Sequence, residues 1–168
     1  MERTATTRAS VADPLVECVP NFSEGRDAIV IRAIADAIST VAGTHVLDVS
    51  MDASHHRSVI TFVAPRSVAA DAAFAGVREA TTRIDLTRHK GVHPRLGAAD
   101  VVPFVPLDLT SLRDSRLGAS TMSDCITLAR TLGERVAREL QLPAYLYEFA
   151  AHTDARRNLA DVRRGGFE

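Results

Sequence analysis

The sequence predicts an α+β fold, one mixed or antiparallel sheet with helices on one face. Three observations carry this. Short apolar, β-branched segments alternate with longer segments whose apolar residues recur at helical spacing. Their order reads β-α-β-β-α-β-α-β, a ferredoxin-like β-α-β-β-α-β core with one extra α-β unit. The chain has 168 residues, 46% of them hydrophobic and 24% charged, which suits one soluble domain with a real core.

The first strand is "LVECVP", Leu15–Pro20, short, apolar and closed by proline. "NFSEGRD" follows as a turn rich in Asn, Ser and Gly. The next segment, residues 27–43, sets Ile31, Ile34, Ala35 and Ile38 on one helical face, and Gly43 stops it. "THVLDVS" reads as the second strand and "MDASHHR" as a polar connection. "SVITFVA", Ser58–Ala64, is β-branched and aromatic, hence the third strand.

An Ala-rich second helix covers residues 66–84, with Ser67 as its expected N-cap. "DLTRHKGVHPRLGA" is a long loop. "DVVPFVPL" is the fourth strand, and its internal Pro103 implies an edge or a bulge. After the loop at 108–120 comes a third helix with Leu128, Leu132, Val136 and Leu140 along one stripe. "PAYLYEF" reads as a fifth strand, followed by a polar tail. Residues 1–14 read as a disordered N-terminal tail, and 15–168 as the domain.

Net charge is −1 with no Trp, so neither a basic field nor a base-stacking platform points to nucleic acid. No apolar run is long enough to span a membrane. Cys18 and Cys125 sit in apolar or amphipathic stretches and form no disulfide framework, which fits a reducing cytoplasm.

Four histidines lie in two loops, His55 with His56 and His89 with His93. His89 and His93 have the spacing of two ligands on one helical face. Gly91 and Pro94 break any helix there, and Lys90 stands where an HExxH motif needs Glu, so no metal is expected. His93 sits in a loop that leads into a buried strand, next to a stiffening proline. Imidazole there can take and give a proton at neutral pH, although an isolated turn histidine is usually only a surface group. Most arginines are solvated charges. Arg57 and Arg95, however, each lie near a histidine at a loop–strand junction, where a planar guanidinium suits a carboxylate. "PNFSEGRD" is either a helix-capping segment or a source of backbone N–H groups, with the Asn21 amide, for a polar ligand.

Four blocks carry a resemblance: "ECVPNFSEGRD", "LDVSMDASHHRSVITFV", "HKGVHPRLGAADVVPFVPL" and "AYLYEFAA…RRNLADVRRGGFE". Together they resemble the N-terminal subdomain of the glutamate formimidoyltransferase family, from about Leu15 to the last residue. His93 falls on the family's catalytic histidine, in its "GEHPRxGAxDV" segment. The resemblance implies transfer of a formimidoyl group between N5 of tetrahydrofolate and glutamate, in histidine degradation and one-carbon metabolism. Folate lies in a cleft between two similar subdomains in such enzymes, and tetrahydrofolate is the one-carbon carrier, with no metal.

On that reading His93 moves the proton. Asn21, Asp48, His56, Arg57 and Arg95 bind substrate, the arginines through the carboxylates of folate and glutamate. The cleft would be completed by a second copy, giving a homodimer, or by a separate second subdomain. Departures from the family pattern are Ser50 where Asp or His is common, His56 for Asn, Val92 for Glu and Phe149 for Glu. They leave two alternatives, formyl transfer from 5-formyltetrahydrofolate and a non-catalytic folate-binding or partner-binding module.

Overall fold

The computed structural model describes residues 12–92, 95–111 and 118–164. Its sheet is antiparallel throughout. The central strand is β4 (Arg57–Pro65), flanked by β3 (His45–Asp52) on one side and by β1 (Leu15–Cys18) and β2 (Asn21–Phe22) on the other. β5 (Ala99–Val101) pairs with β2, and β6 (Phe104–Pro106) pairs with β1.

Proline explains why β1 and β2, and likewise β5 and β6, are separate. Neither Pro20 nor Pro103 has an N–H to place in a ladder. The chain stays in register across both gaps: Val19 N–H donates to the Pro103 carbonyl at 3.1 Å and Ile60 N–H to the Pro20 carbonyl at 3.0 Å. The edge or bulge that Pro103 implies is met as an edge: β5 and β6 are the outermost strands beside β2 and β1. The turn expected from Asn21 onwards is corrected in part. Asn21 and Phe22 remain strand because β4 continues beside them, and the turn begins at Ser23.

β4 shows why helices cover one face only. Ser58, Ile60, Phe62 and Ala64 are buried, while the residues between them are half-buried, the period-two pattern of a sheet packed on one side. Val16, Cys18 and Phe104 share the buried side and meet Ile34 and Ile38 of α1 (Ala28–Ser39) and the alanines of α2 (Arg66–Arg83). Small residues let these helices approach closely: a Cβ on Gly76 would stand 2.9 Å from the Ile38 side chain. Leu128 and Leu132 of α3 (Met122–Arg135) complete the core, as their stripe predicts. Thr121 and Asp124 form a reciprocal capping box that starts α3.

By register the opposite face carries Glu17, Asn21, Asp48, Ser50, Asp52, Arg57, Val59, Thr61 and Val63. No helix of the described residues covers it, and β3 is exposed along most of its length.

Two expectations are corrected at the ends of helices. Ser67 is not the cap of α2; Pro65 occupies the N-cap position, and the Asp13 carboxylate accepts the Ser67 N–H at 2.8 Å. α3 does not lead into a fifth strand. It ends in a π-turn, Val136–Leu140, closed by Gln141 at φ 55°. Residues 143–147 then run without ladder partners into a 3₁₀ turn, Glu148–Ala150. The extra unit thus keeps its helix and lacks its strand, and Pro143 removes one donor that pairing would use. Between this segment, α3 and β6 lies an apolar groove of about 770 Å³, lined by Val77, Ile84, Val102, Ile126, Leu132 and Leu146 among others. The polar tail is described to Arg164. It forms the short α4 (Leu159–Val162), and Arg163 pairs with Asp100.

Candidate functional site

The apolar groove is roomy, yet the ionisable groups gather elsewhere. Ser23, His55, His56, Arg57, His89, Arg95 and Asp100 line one small cleft where three loops meet. Its walls carry imidazole, guanidinium and carboxylate groups together.

The turn after β2 builds the first wall. Glu24 turns its carboxylate back on its own backbone, and Oε1 accepts from Gly25 N–H (2.9 Å), Arg26 N–H (2.7 Å) and Asp27 N–H (3.0 Å). Asp27 caps α1, accepting from Ile29 and Val30 N–H. The N–H groups that the sequence offered to a ligand are therefore bound internally. Burial pushes the Glu24 carboxyl up, but the Asp27 and Arg26 N–H groups and His56 outweigh it and hold it below the usual range.

The β3–β4 turn builds the second wall. Asp52 accepts from Ser54 and His55 N–H and from His55 Nδ1, at 2.7–2.9 Å, on an exposed surface. His56 follows at φ 53°, a left-handed conformation that few side chains tolerate. Its Nε2 lies 3.0 Å from Glu24 Oε1 and its Nδ1 3.1 Å from the Lys90 carbonyl oxygen.

The loop after α2 is the third wall. A 3₁₀ turn, Leu86–Arg88, delivers His89 to the cleft. His89 stacks on His56 with ring centroids 3.7 Å apart and planes 9° from parallel, and its Nε2 donates to the His56 carbonyl at 3.0 Å. Its buried Nδ1 has no hydrogen-bond partner. Burial above all, then the charges of His56 and Arg95, hold the His89 imidazole below its usual range, so it is the neutral ring of the stack. Arg95 is buried and donates to the His89 carbonyl at 2.8 Å. Ser23 ties the far end of the loop by donating its hydroxyl to the Gly97 carbonyl at 2.8 Å.

The structure brings His56, Arg57 and Arg95 together along this cleft. Asn21 and Asp48 lie on the same uncovered sheet face as Arg57 but do not line the cleft. Asn21 is buried, its Nδ2 donates to the Val19 carbonyl at 2.8 Å, and its buried Oδ1 has no partner. Asp48 is exposed opposite Thr61. His93 lies outside the described residues, between Val92 and Arg95. Glu24 and Asp100 were not singled out from the sequence. Glu24 had one legible sign, its place three residues ahead of the α1 cap Asp27; Asp100 had none, since its role depends on Arg163, far away in the chain. Among the described residues no group of three His, Cys, Asp or Glu side chains converges as a metal site, and no helix is long and apolar enough to cross a membrane.

The family model described as "Formiminotransferase domain, N-terminal subdomain" matches residues 15–168. Glutamate formimidoyltransferase of Thermoplasma acidophilum is 52% identical over 154 residues, 92% of this chain and 48% of that protein. Glutamate formimidoyltransferase of Streptococcus pyogenes serotype M1 is 43% identical over 155 residues, again 92% of this chain and 48% of that protein. Formimidoyltransferase-cyclodeaminase of Mus musculus is 44% identical over 154 residues, 27% of its length. The chain spans about half the length of the first two relatives. With the family model matching residues 15–168, the chain belongs to the family of formiminotransferase N-terminal subdomains.

Proposed function

We propose that this chain is the N-terminal half of a glutamate formimidoyltransferase site, moving a formimidoyl group between N5 of tetrahydrofolate and the amino group of glutamate in histidine degradation and one-carbon metabolism. The observation that carries it is the clustering of His56, Arg57 and Arg95 in one cleft at the loop that leads to His93, in a chain 52% identical to a protein of that name. The attacking amine must lose a proton as the tetrahedral adduct forms, and the departing nitrogen must gain one. One neutral imidazole, His93, serves both steps. Arg57 and Arg95 supply planar donors for substrate carboxylates. Asn21 and Asp48 extend the polar surface over the uncovered sheet face, with His56 on the cleft wall. Tetrahydrofolate brings the one-carbon group, so the protein contributes binding, orientation and proton transfer.

The uncovered face supports a cleft closed by a second copy of the chain or by a second subdomain. Taking β1 with β2 and β5 with β6 as single bent strands, the ladder runs β3, β4, β1–β2, β5–β6, which supports a ferredoxin-like core. The free Cys18 and Cys125, both buried, fit a cytoplasmic setting. The test is a transfer assay with a formimidoyl donor and a reduced folate. His93→Ala is expected to lower turnover roughly a hundredfold or more with folding intact. Wild-type transfer by that variant would remove His93 from the mechanism.

A further inference from the structure

We propose that His56 is a positioning residue: an imidazolium that clamps the Lys90–Val92 segment leading into His93, without touching substrate. The inference rests on the transfer reading above for what the clamp serves, but the clamp itself stands on geometry.

Both ring nitrogens of His56 face oxygens that can only accept, the Glu24 carboxylate at 3.0 Å and the Lys90 carbonyl at 3.1 Å. A neutral imidazole has one N–H and one lone pair, so it would turn a lone pair toward an oxygen in either tautomer. Only the doubly protonated ring satisfies both contacts. Glu24 is suited to face a cation, since three backbone N–H groups keep it ionised. His89, stacked at 3.7 Å, has one donor in use and a bare Nδ1, so the pair is a cation lying on a neutral ring. The other charged groups around the cleft are Arg57, Arg95 and Asp100, and Arg95 also draws toward the His89 carbonyl.

The contacts all act on one short segment. His56 holds the Lys90 carbonyl, His89 is held by the His56 carbonyl, and Arg95 holds the His89 carbonyl from the other side of His93. Gly91 lies against the turn so closely that a Cβ there would stand 2.7 Å from the His55 carbonyl oxygen and from His56 Cβ. A loop without regular secondary structure is thereby fixed on both sides of the residue expected to move the proton. With both nitrogens engaged and only the ring face left, which His89 covers, His56 has no free donor for a substrate.

The test uses the whole chain, labelled with ¹⁵N. Long-range ¹H–¹⁵N spectra at neutral pH are expected to show both His56 nitrogens as protonated, and His89 with one N–H and one bare nitrogen. A bare nitrogen on His56 would overturn the proposal. This measurement needs no variant and no activity, so it decides the clamp even if no transfer is found, a result that would overturn only the proposed function. In the assembled enzyme, His56→Phe keeps a flat ring over His89 and removes both donors. Turnover is expected to fall at least about tenfold while the KM for folate is unchanged, because a misplaced acid–base group slows the step without weakening binding. A raised KM with turnover kept would show that His56 binds substrate. If His56→Phe does not fold, His89→Phe tests the other half of the stack and is expected to give the same split between kcat and KM.

Discussion

Gly91→Ala is the sharpest probe of how the third loop is held. Gly91 has no left-handed φ, so alanine meets no backbone penalty of its own and even gains about 0.4–1 kcal/mol by restricting the unfolded chain. The opposing effect is space. The added Cβ would stand 2.7 Å from both the His55 carbonyl oxygen and His56 Cβ. The oxygen belongs to the backbone and the Cβ is fixed to it in a tight turn, so neither can swing aside as the end of a long side chain would. The loop must retreat by roughly 0.7 Å to regain ordinary van der Waals contact. Overpacking of this kind costs about 1–3 kcal/mol, which exceeds the entropic gain. The retreat also stretches the 3.1 Å bond from His56 to the Lys90 carbonyl. We expect a net loss of about 1–2 kcal/mol in urea unfolding, with the His56 Nδ1 resonance shifted. Gly97→Ala is the control: its nearest contact is 3.1 Å from the Ala99 carbonyl oxygen, and a shift of a few tenths of an ångström relieves it. If Gly91→Ala is as stable as wild type, the loop is not pressed against the β3–β4 turn and the reasoning fails.

The remaining predictions concern the same cleft. Arg57→Lys and Arg95→Lys keep charge and lose the planar fork, so folate or glutamate affinity should drop roughly tenfold by calorimetry; unchanged affinity in both would remove the carboxylate assignment. Acid should destabilise the fold in two stages. His89 is held below the ordinary histidine range, so the unfolded chain takes up that proton first and stability falls as pH drops below ~6.5. Glu24 is held below the ordinary glutamate range, so its contribution, full above ~4.3, is lost as pH falls through its lower folded value. Urea unfolding across that range should show His89→Phe abolishing the first stage and Glu24→Gln the second; an unaltered profile in either would refute its assignment. Sedimentation equilibrium at micromolar concentration should show a homodimer, and a clean monomer unmoved by folate would rule it out.

How much of this was legible in the sequence depends on the range of the interaction. The stripe of Ile31, Ile34 and Ile38 and the β-branched and aromatic run Ser58–Ala64 are local patterns that encode a helix face and a strand, and both appear where expected. Pro103 marked a break in its strand for an equally local reason, the missing N–H. "PAYLYEF" misled because its composition is that of a strand while its state depends on finding a ladder partner. Composition reports the preference and says nothing of the neighbour. The cap of α2 was missed for the same reason. Ser67 is a good capping residue at about the right place, but α2 already starts at Arg66, and Asp13, 54 positions away, accepts the N–H of Ser67 itself.

The site divides along the same line. Arg57, Arg95 and the histidine loops stood out because charged groups beside glycine and proline are visible in one dimension. What joins them is not. His56 was chosen as a ligand-binding side chain, and a histidine beside another histidine in a polar turn gives no hint that it will stack on a third, 33 residues away. Its left-handed φ follows from the tight turn that reverses β3 into β4, and that conformation aims the ring inward at Glu24 and Lys90 rather than out to solvent. Glu24 looked like part of a ligand-binding turn, yet its carboxylate gathers that turn's own N–H groups and so becomes the fixed anion that an imidazolium requires. The chemistry of the cleft therefore rests on a chain of side-chain hydrogen bonds, Glu24 to His56 to Lys90 and His89 to Arg95. Residue types set which links can form, and the fold decides that they do.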